Sequence, residues 1–347
     1  MAKVLEFELQ KAADRVVNQM LRVKEGETVI ITADTGSSER VANALASSAF
    51  AAGAKPMVIW MAATTGVGKA ADPELPVEVL TSALLNTDVW IEINSKWVFY
   101  STPFERASSE NKKLRYLNLQ DMNCDLLWRN IGKVDMPVLA ECLNKITELN
   151  RNTKKYKVTT PSGTDLTFES DPTHYLCCDA GDASVPGIFM MPGQINVVPK
   201  FSSVNGALVF DGSLVPPCGL LREPIRLTLE NSVIKKIEGG EQAKEFERWL
   251  KSFDDPNMLK MAHMAYGLNP GAKLTGDIVE DERVWGCVEW GIGYVSTYDA
   301  PPDGQNAKSH CDGICLNASV WLDGVGLIDN GRYIHPEIKH YEELLLK

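Results

Sequence analysis

The chain has 347 residues, 44% hydrophobic and 23% charged, with 46 acidic against 35 basic side chains and a formal net charge of −11. The composition is that of an ordinary globular protein, and the length suggests about two domains. The acidic balance argues against a nucleic-acid partner, whose phosphates need a clustered Lys/Arg surface, and no run reaches the roughly 18 to 20 apolar residues of a membrane span.

The first 21 residues lack a charged n-region followed by an apolar h-region and a small-residue cleavage site. They read as an amphipathic helix with Leu9, Ala12, Val16, Met20 and Leu21 on or near one face. Residues 27–33 form a short β-branched run. Residues 37–52 are an alanine-rich helical pattern after a Thr-Gly-Ser-Ser turn, and residues 55–61 read as a second, buried-type strand. Strand, helix, strand at this spacing predicts a right-handed βαβ unit and a mostly parallel sheet. The loop Asp34-Thr35-Gly36-Ser37-Ser38 lacks GxGxxG and GxxxxGK[ST], so it reads as a turn with a Ser N-cap rather than a nucleotide site. Residues 88–93 and 114–119 supply two more strands, and a leucine-spaced helix over 136–152 leads out of this part.

From Lys155 the pattern changes. Two alternating runs flank Pro161-Ser162-Gly163, which is hairpin chemistry. Strand-type runs follow at 206–211, 225–229 and 233–237. Residues 241–253 read as a helix with Phe246, Leu250 and Phe253 on its apolar side, and residues 284–327 are strand-like and glycine-rich. The expected layout is an α/β N-terminal domain (1–152) with a mostly parallel sheet, then a β-rich α+β C-terminal metal-binding domain (153–347).

Eight cysteines (Cys124, Cys142, Cys177, Cys178, Cys218, Cys287, Cys311, Cys315) are scattered without a CxxC pair. They give neither a disulfide framework nor a zinc cluster, so a reducing cytoplasm is the expected location. Two of the five histidines lie between residues 261 and 316. If residues 308–316 are extended, His310 and Asp312 point to one face of a strand. With His263 they make two imidazoles and one carboxylate, the ligand set of a non-haem Fe(II) site. An ordinary hydrogen-bonded His-x-Asp pair is the competing reading.

Five phrases in order, TPSGTDLTF (160–168), ALVFDGSL (207–214), IKKIEGG (234–240), AYGLNPGAKLTG (265–276) and SHCDGI (309–314), resemble one fold group. It comprises the thermophilic metallo-aminopeptidases of the aminopeptidase T type and the related 2,5-dihydroxypyridine 5,6-dioxygenases. The likeness covers the C-terminal half and, more loosely, the N-terminal half. The peptidases carry Glu where this chain has His263 and His where it has Glu289, so the dioxygenase branch fits better. A metallo-aminopeptidase with a rearranged dinuclear site is the alternative, and a metal-free binding protein on the same scaffold a third reading.

The resemblance implies Fe(II) held by His263, Ser296, His310 and Asp312, no organic cofactor, and O2-dependent cleavage of a dihydroxylated ring, most simply an N-heterocyclic hydroxypyridine. It also implies a homo-oligomer with the site near a subunit boundary, for which Trp97-Val98-Phe99-Tyr100 is the candidate contact or pocket wall. Where the dioxygenase has histidines, this chain reads Tyr100 before Ser-Thr-Pro and Ile188-Phe189-Met190-Met191, an apolar wall that cannot transfer protons. The catalytic candidates are therefore Tyr100 and His174 for proton transfer and Glu289, with Asp299 and Asp303, for orienting the imidazoles. Trp290 is a pocket-wall candidate, and 2,5-dihydroxypyridine itself is expected to be a poor substrate. Cys177, Cys178 and Cys311 are expected to pack rather than react.

Overall fold

In this computed structural model, which describes residues 4–346, the amphipathic opening segment forms α1 (Glu6–Asp14) and continues as a π-type turn over Arg15–Met20. Leu9, Ala12, Val16, Met20 and Leu21 are all buried, as their spacing predicts. The chain then alternates β1 (Thr28–Asp34), α2 (Glu39–Ala51), β2 (Lys55–Met61), α3 (Val77–Leu85), β3 (Val89–Glu92), α4 (Thr102–Glu110), β4 (Arg115–Asn118) and α5 (Cys124–Leu127). The four strands pair in parallel in the order β2-β1-β3-β4. Ser38 caps α2 by accepting the Val41 N–H, the role its position in the turn predicts. β2 differs from expectation. As the sheet edge it is only half-buried, with Met57 and Trp60 exposed, because an apolar run does not reveal which strand ends a sheet.

The long helix α6 (Met136–Arg151) leads into the hairpin of β5 (Lys155–Thr159) and β6 (Asp165–Glu169), where Gly163 takes φ +106 at the turn. After β7 (Leu176–Asp179) a short segment rejoins the parallel sheet as β8 (Gly187–Phe189), beside β4. The rest of the chain supplies β9 (Gln194–Val197), β10 (Asn205–Phe210), β11 (Ser213–Val215), β12 (Gly219–Leu220), β13 (Ile225–Glu230), β14 (Val233–Glu238), α7 (Glu241–Ser252), β15 (Met261–Gly267) and α8 (Ile278–Asp281). It closes with β16 (Val288–Val295), β17 (Gln305–Cys315), β18 (Ser319–Leu322), β19 (Val325–Asp329), β20 (Arg332–Tyr333) and α9 (Lys339–Leu345).

Two compact units result. One comprises the described residues up to Met136 with Gly181–Pro192; the other comprises Pro137–Ala180 and everything from Gly193. The dividing point thus falls at the first residue of α6, where the sequence reading placed it after that helix. Among its described residues the second unit holds two antiparallel sheets, β14-β13-β10-β6-β5-β18-β19-β20 and β12-β11-β17-β16-β15-β9-β7. The sheets meet where Trp290 sets its ring edge-on to Phe168, centroids 5.5 Å apart. Phe210 lies over Gly313, so close that a Cβ there would stand 2.4 Å from its ring. Trp290 is fully buried in this core, which corrects its reading as a pocket wall.

Candidate metal centre

Three adjacent strands build the site. On β17, His310 and Asp312 are two residues apart and project from one face. Across β16, Gly293 stands opposite His310 and Gly291 opposite Asp312. On the far side of β16, β15 pairs Ala265 with Glu289 and brings in His263 two residues earlier. Gly291, at the centre of β16, clears the space between the flanking strands. A Cβ on Gly291 would stand 2.4 Å from His263 Nε2 and 2.9 Å from His310 Cε1.

The side chains converge. His263 Nε2 is 3.1 Å from His310 Nε2, His310 Nε2 is 2.8 Å from Asp312 Oδ1, and His263 Nε2 is 3.5 Å from the same oxygen. The two imidazoles stack almost in parallel, 7° apart with centroids at 5.0 Å. Behind them, His310 Nδ1 lies 2.8 Å from the Tyr294 carbonyl. His263 Nδ1 lies 3.3 Å from Glu289 Oε2, too poorly aligned for a well-formed hydrogen bond. Glu289 is fully buried; His263 and Asp312 are mostly so, at 14% and 17% exposure.

Charge follows geometry. Burial pushes the His310 imidazole down, but the Asp312 carboxylate more than offsets this and holds it above its ordinary value. Burial works to raise Asp312, and the imidazolium character of His310 beside it draws it below the usual carboxylate range. Burial, then the Asp312 charge, pushes Glu289 well above that range.

The donor set fits a divalent ion. A carbonyl only accepts, so the Tyr294 contact puts the proton of neutral His310 on Nδ1 and leaves a lone pair on Nε2. That lone pair faces an Asp312 oxygen and the second Nε2. Three electron-rich atoms cannot sit this close without a cation. A proton satisfies one contact; a metal ion satisfies all three. Ligands about 2.1 Å from one ion at right angles lie about 3 Å apart, close to the separations observed. A divalent ion would thus be held by His263, His310 and Asp312.

The other expected site residues have partners of their own. Ser296 sits one residue beyond β16, in a turn, not on a strand. Its hydroxyl donates to Asp299 Oδ2 (2.6 Å) and accepts the Asp299 N–H (3.1 Å). Asp299 is thereby tied to Ser296 rather than to an imidazole, and Asp303 is exposed. His174 is held in its own loop, with Nδ1 3.1 Å from the Pro199 carbonyl and its ring against Phe201. Tyr100 belongs to the first unit, is 45% exposed, takes φ +65 and packs on Phe99. Val98 and Phe99 beside it are buried in that unit's core, and so is Met191; Met190 packs against the same cluster. The apolar character of these segments therefore has a packing cause. In the Asp34 loop the Gly36 and Lys96 N–H groups already donate to the Asp34 carboxylate. Sequence reasoning missed Gly291 and the Tyr294 carbonyl. A glycine inside a strand was the available signal for the first; a backbone group leaves none.

The family model for 2,5-dihydroxypyridine 5,6-dioxygenase, NicX, matches residues 9–335. The chain belongs to this family. A curated NicX-family relative, the 2,5-dihydroxypyridine 5,6-dioxygenase of Pseudomonas putida, is 29% identical over 147 residues. That match spans 40% of this chain and 42% of the relative. The solved 2,5-dihydroxypyridine dioxygenase from Pseudomonas putida KT2440 superimposes with a TM-score of 0.81 at 20% identity, covering 97% of this chain and all of that one. AmpT from Thermus thermophilus gives 0.72 at 14% identity, covering 96% and 100%. At these identities the two structures establish a shared fold, the one the five sequence phrases imply for a NicX-family chain.

Proposed function

We propose that this NicX-family protein is a mononuclear Fe(II) dioxygenase that opens the ring of a dihydroxylated aromatic of the hydroxypyridine type with O2. The convergence of two imidazole nitrogens and one carboxylate oxygen, all within 4.8 Å of one another, carries the reading, and family membership supports it. Bound Fe(II) would supply the path by which electrons pass from an electron-rich ring to O2, so no organic cofactor is required. The chain's own residues do the rest. The Tyr294 carbonyl fixes the tautomer of His310, and burial of His263, Glu289 and Asp312 keeps water from their hydrogen-bonding edges. Tyr100, 45% exposed, is the proton-transfer group this reading retains; His174 is tied to backbone carbonyls. Ser296 is a weaker ligand candidate because its hydroxyl serves Asp299.

The aminopeptidase reading rests on AmpT, whose likeness extends to the fold alone. Anaerobic purification followed by metal analysis and oxygen-uptake assays tests the proposal. About one iron per chain and oxygen consumption with a dihydroxypyridine are expected. Two zinc, cobalt or manganese ions, with hydrolysis of a leucyl anilide and no oxygen uptake, would replace it by the peptidase reading. A closed homo-oligomer is part of the proposal, and a solution mass of one 38.2 kDa chain would remove that part.

A further inference from the structure

We infer that Glu289 is a positioning residue that fixes His263 as its Nδ1–H tautomer and so turns Nε2 toward the metal. The inference deepens the metal reading above and rests on it. Glu289 stands in the middle of β16 with no exposed surface, and neither carboxylate oxygen has a well-formed hydrogen bond. Its cross-strand neighbours, Ala265 and Ile314, are apolar. Among the described residues, His263 is the one basic group within 4 Å of it. Its other charged neighbours include Asp312, with which it also interacts side chain to side chain, and Glu282, carboxylates that both oppose its ionisation.

A buried carboxyl group in such surroundings needs a donor, and His263 Nδ1 at 3.3 Å is placed to be that donor. The contact is on the opposite edge of the ring from Nε2, which faces His310 and Asp312. Glu289 therefore acts through His263 rather than as a ligand. A neutral imidazole carries one proton, and an acceptor at Nδ1 decides where it resides. His310 is oriented in the same sense by a different device, the Tyr294 carbonyl. Each imidazole thus has its rear nitrogen held and its front nitrogen available, the arrangement that orients metal-binding histidines generally.

The test uses Glu289→Gln and Glu289→Ala, alone and combined with His263→Ala. Two quantities are measured: the dissociation constant for Co(II) by chelator competition without substrate, and the 15N signature of the histidine tautomers in Zn(II)-loaded protein. Glu289→Ala should weaken Co(II) binding by roughly 10- to 100-fold and lose the defined Nδ1–H signal of His263. Glu289→Gln, whose amide oxygen still accepts, should remain within about tenfold of wild type and keep that signal, which separates orientation from mere folding. In the His263→Ala background, whose residual weak Co(II) binding is read by titration at high metal concentration rather than by retention, neither substitution should cause a further loss. Wild-type affinity and an unchanged tautomer in Glu289→Ala would overturn the inference, as would a full loss that persists without His263. A wild-type chain that binds no divalent ion would instead overturn the metal reading.

Discussion

Gly291 sits where any side chain would strike both imidazoles, yet its backbone is not in the left-handed region. Alanine fits the strand, so the cost of Gly291→Ala falls on the site. We expect thermal unfolding close to wild type and a metal affinity lower by at least about tenfold, since displaced ligands cannot hold a compact triad. Circular dichroism beside chelator-competition titration checks this; unchanged metal binding would mean that His263 and His310 do not share an ion. Alanine at His263, His310 or Asp312 should each abolish iron retention with the fold preserved. Iron content measured after desalting tests the three separately, and a variant that keeps its iron removes that residue from the set. Ser296→Ala should retain most of its iron, because the serine hydroxyl is already engaged with Asp299.

At the scale of elements, the strand β3 ends on Glu92, a fully buried carboxyl group that accepts the Val98 N–H (2.7 Å) and the Tyr116 hydroxyl (2.6 Å). It ties the loop that leads to Tyr100 back onto the parallel sheet. Burial pushes Glu92 up to about 7 despite these bonds. The folded state therefore binds a proton more tightly than the unfolded chain, whose value is ordinary. Its contribution is complete below about pH 4.5 and is lost as pH rises toward 7, on the order of 3 kcal/mol in all. The difference in unfolding free energy between wild type and Glu92→Gln should change by this amount across that window, measured by urea titration at several pH values. A pH-independent difference would mean that Glu92 stays ionised. The elements with strong periodicity were legible in sequence: α1, the β1-α2-β2 unit, the β5-β6 hairpin, and the two-residue repeat that aligns His310 with Asp312. β8 was not, because three residues paired with a strand some 70 positions earlier leave no local pattern. The half-exposure of β2 and the turn at Ser296 were missed for a related reason. Both depend on what lies beside the segment, not on its own residues.

At the scale of the molecule, the proposed function makes a small aromatic ring the partner, and the −11 charge argues against nucleic acid as a rival. Choice among ligands follows from which groups transfer protons. Hydrogen-bonding pockets discriminate strongly, because a mismatched ligand leaves buried polar groups unpaired, whereas apolar ones discriminate weakly. Neither Met190 nor Met191 can exchange a proton, and both are committed to packing in the first unit, so that segment contributes no acid or base. On the proposed reading Tyr100, which is 45% exposed and takes φ +65, is the titratable group in place of a histidine. A phenol and an imidazole differ by several pH units in where they exchange protons, so a ring matched to one is served poorly by the other. We therefore expect kcat/KM for 2,5-dihydroxypyridine to fall below that for another hydroxylated ring. We also expect Tyr100→Phe to lower kcat by about 10²-fold or more with iron content unchanged. Oxygen uptake by Fe(II)-loaded enzyme across dihydroxypyridines, catechols and hydroquinones measures both. Highest efficiency on 2,5-dihydroxypyridine would sink the first expectation, and a Tyr100→Phe enzyme as fast as wild type would sink the second.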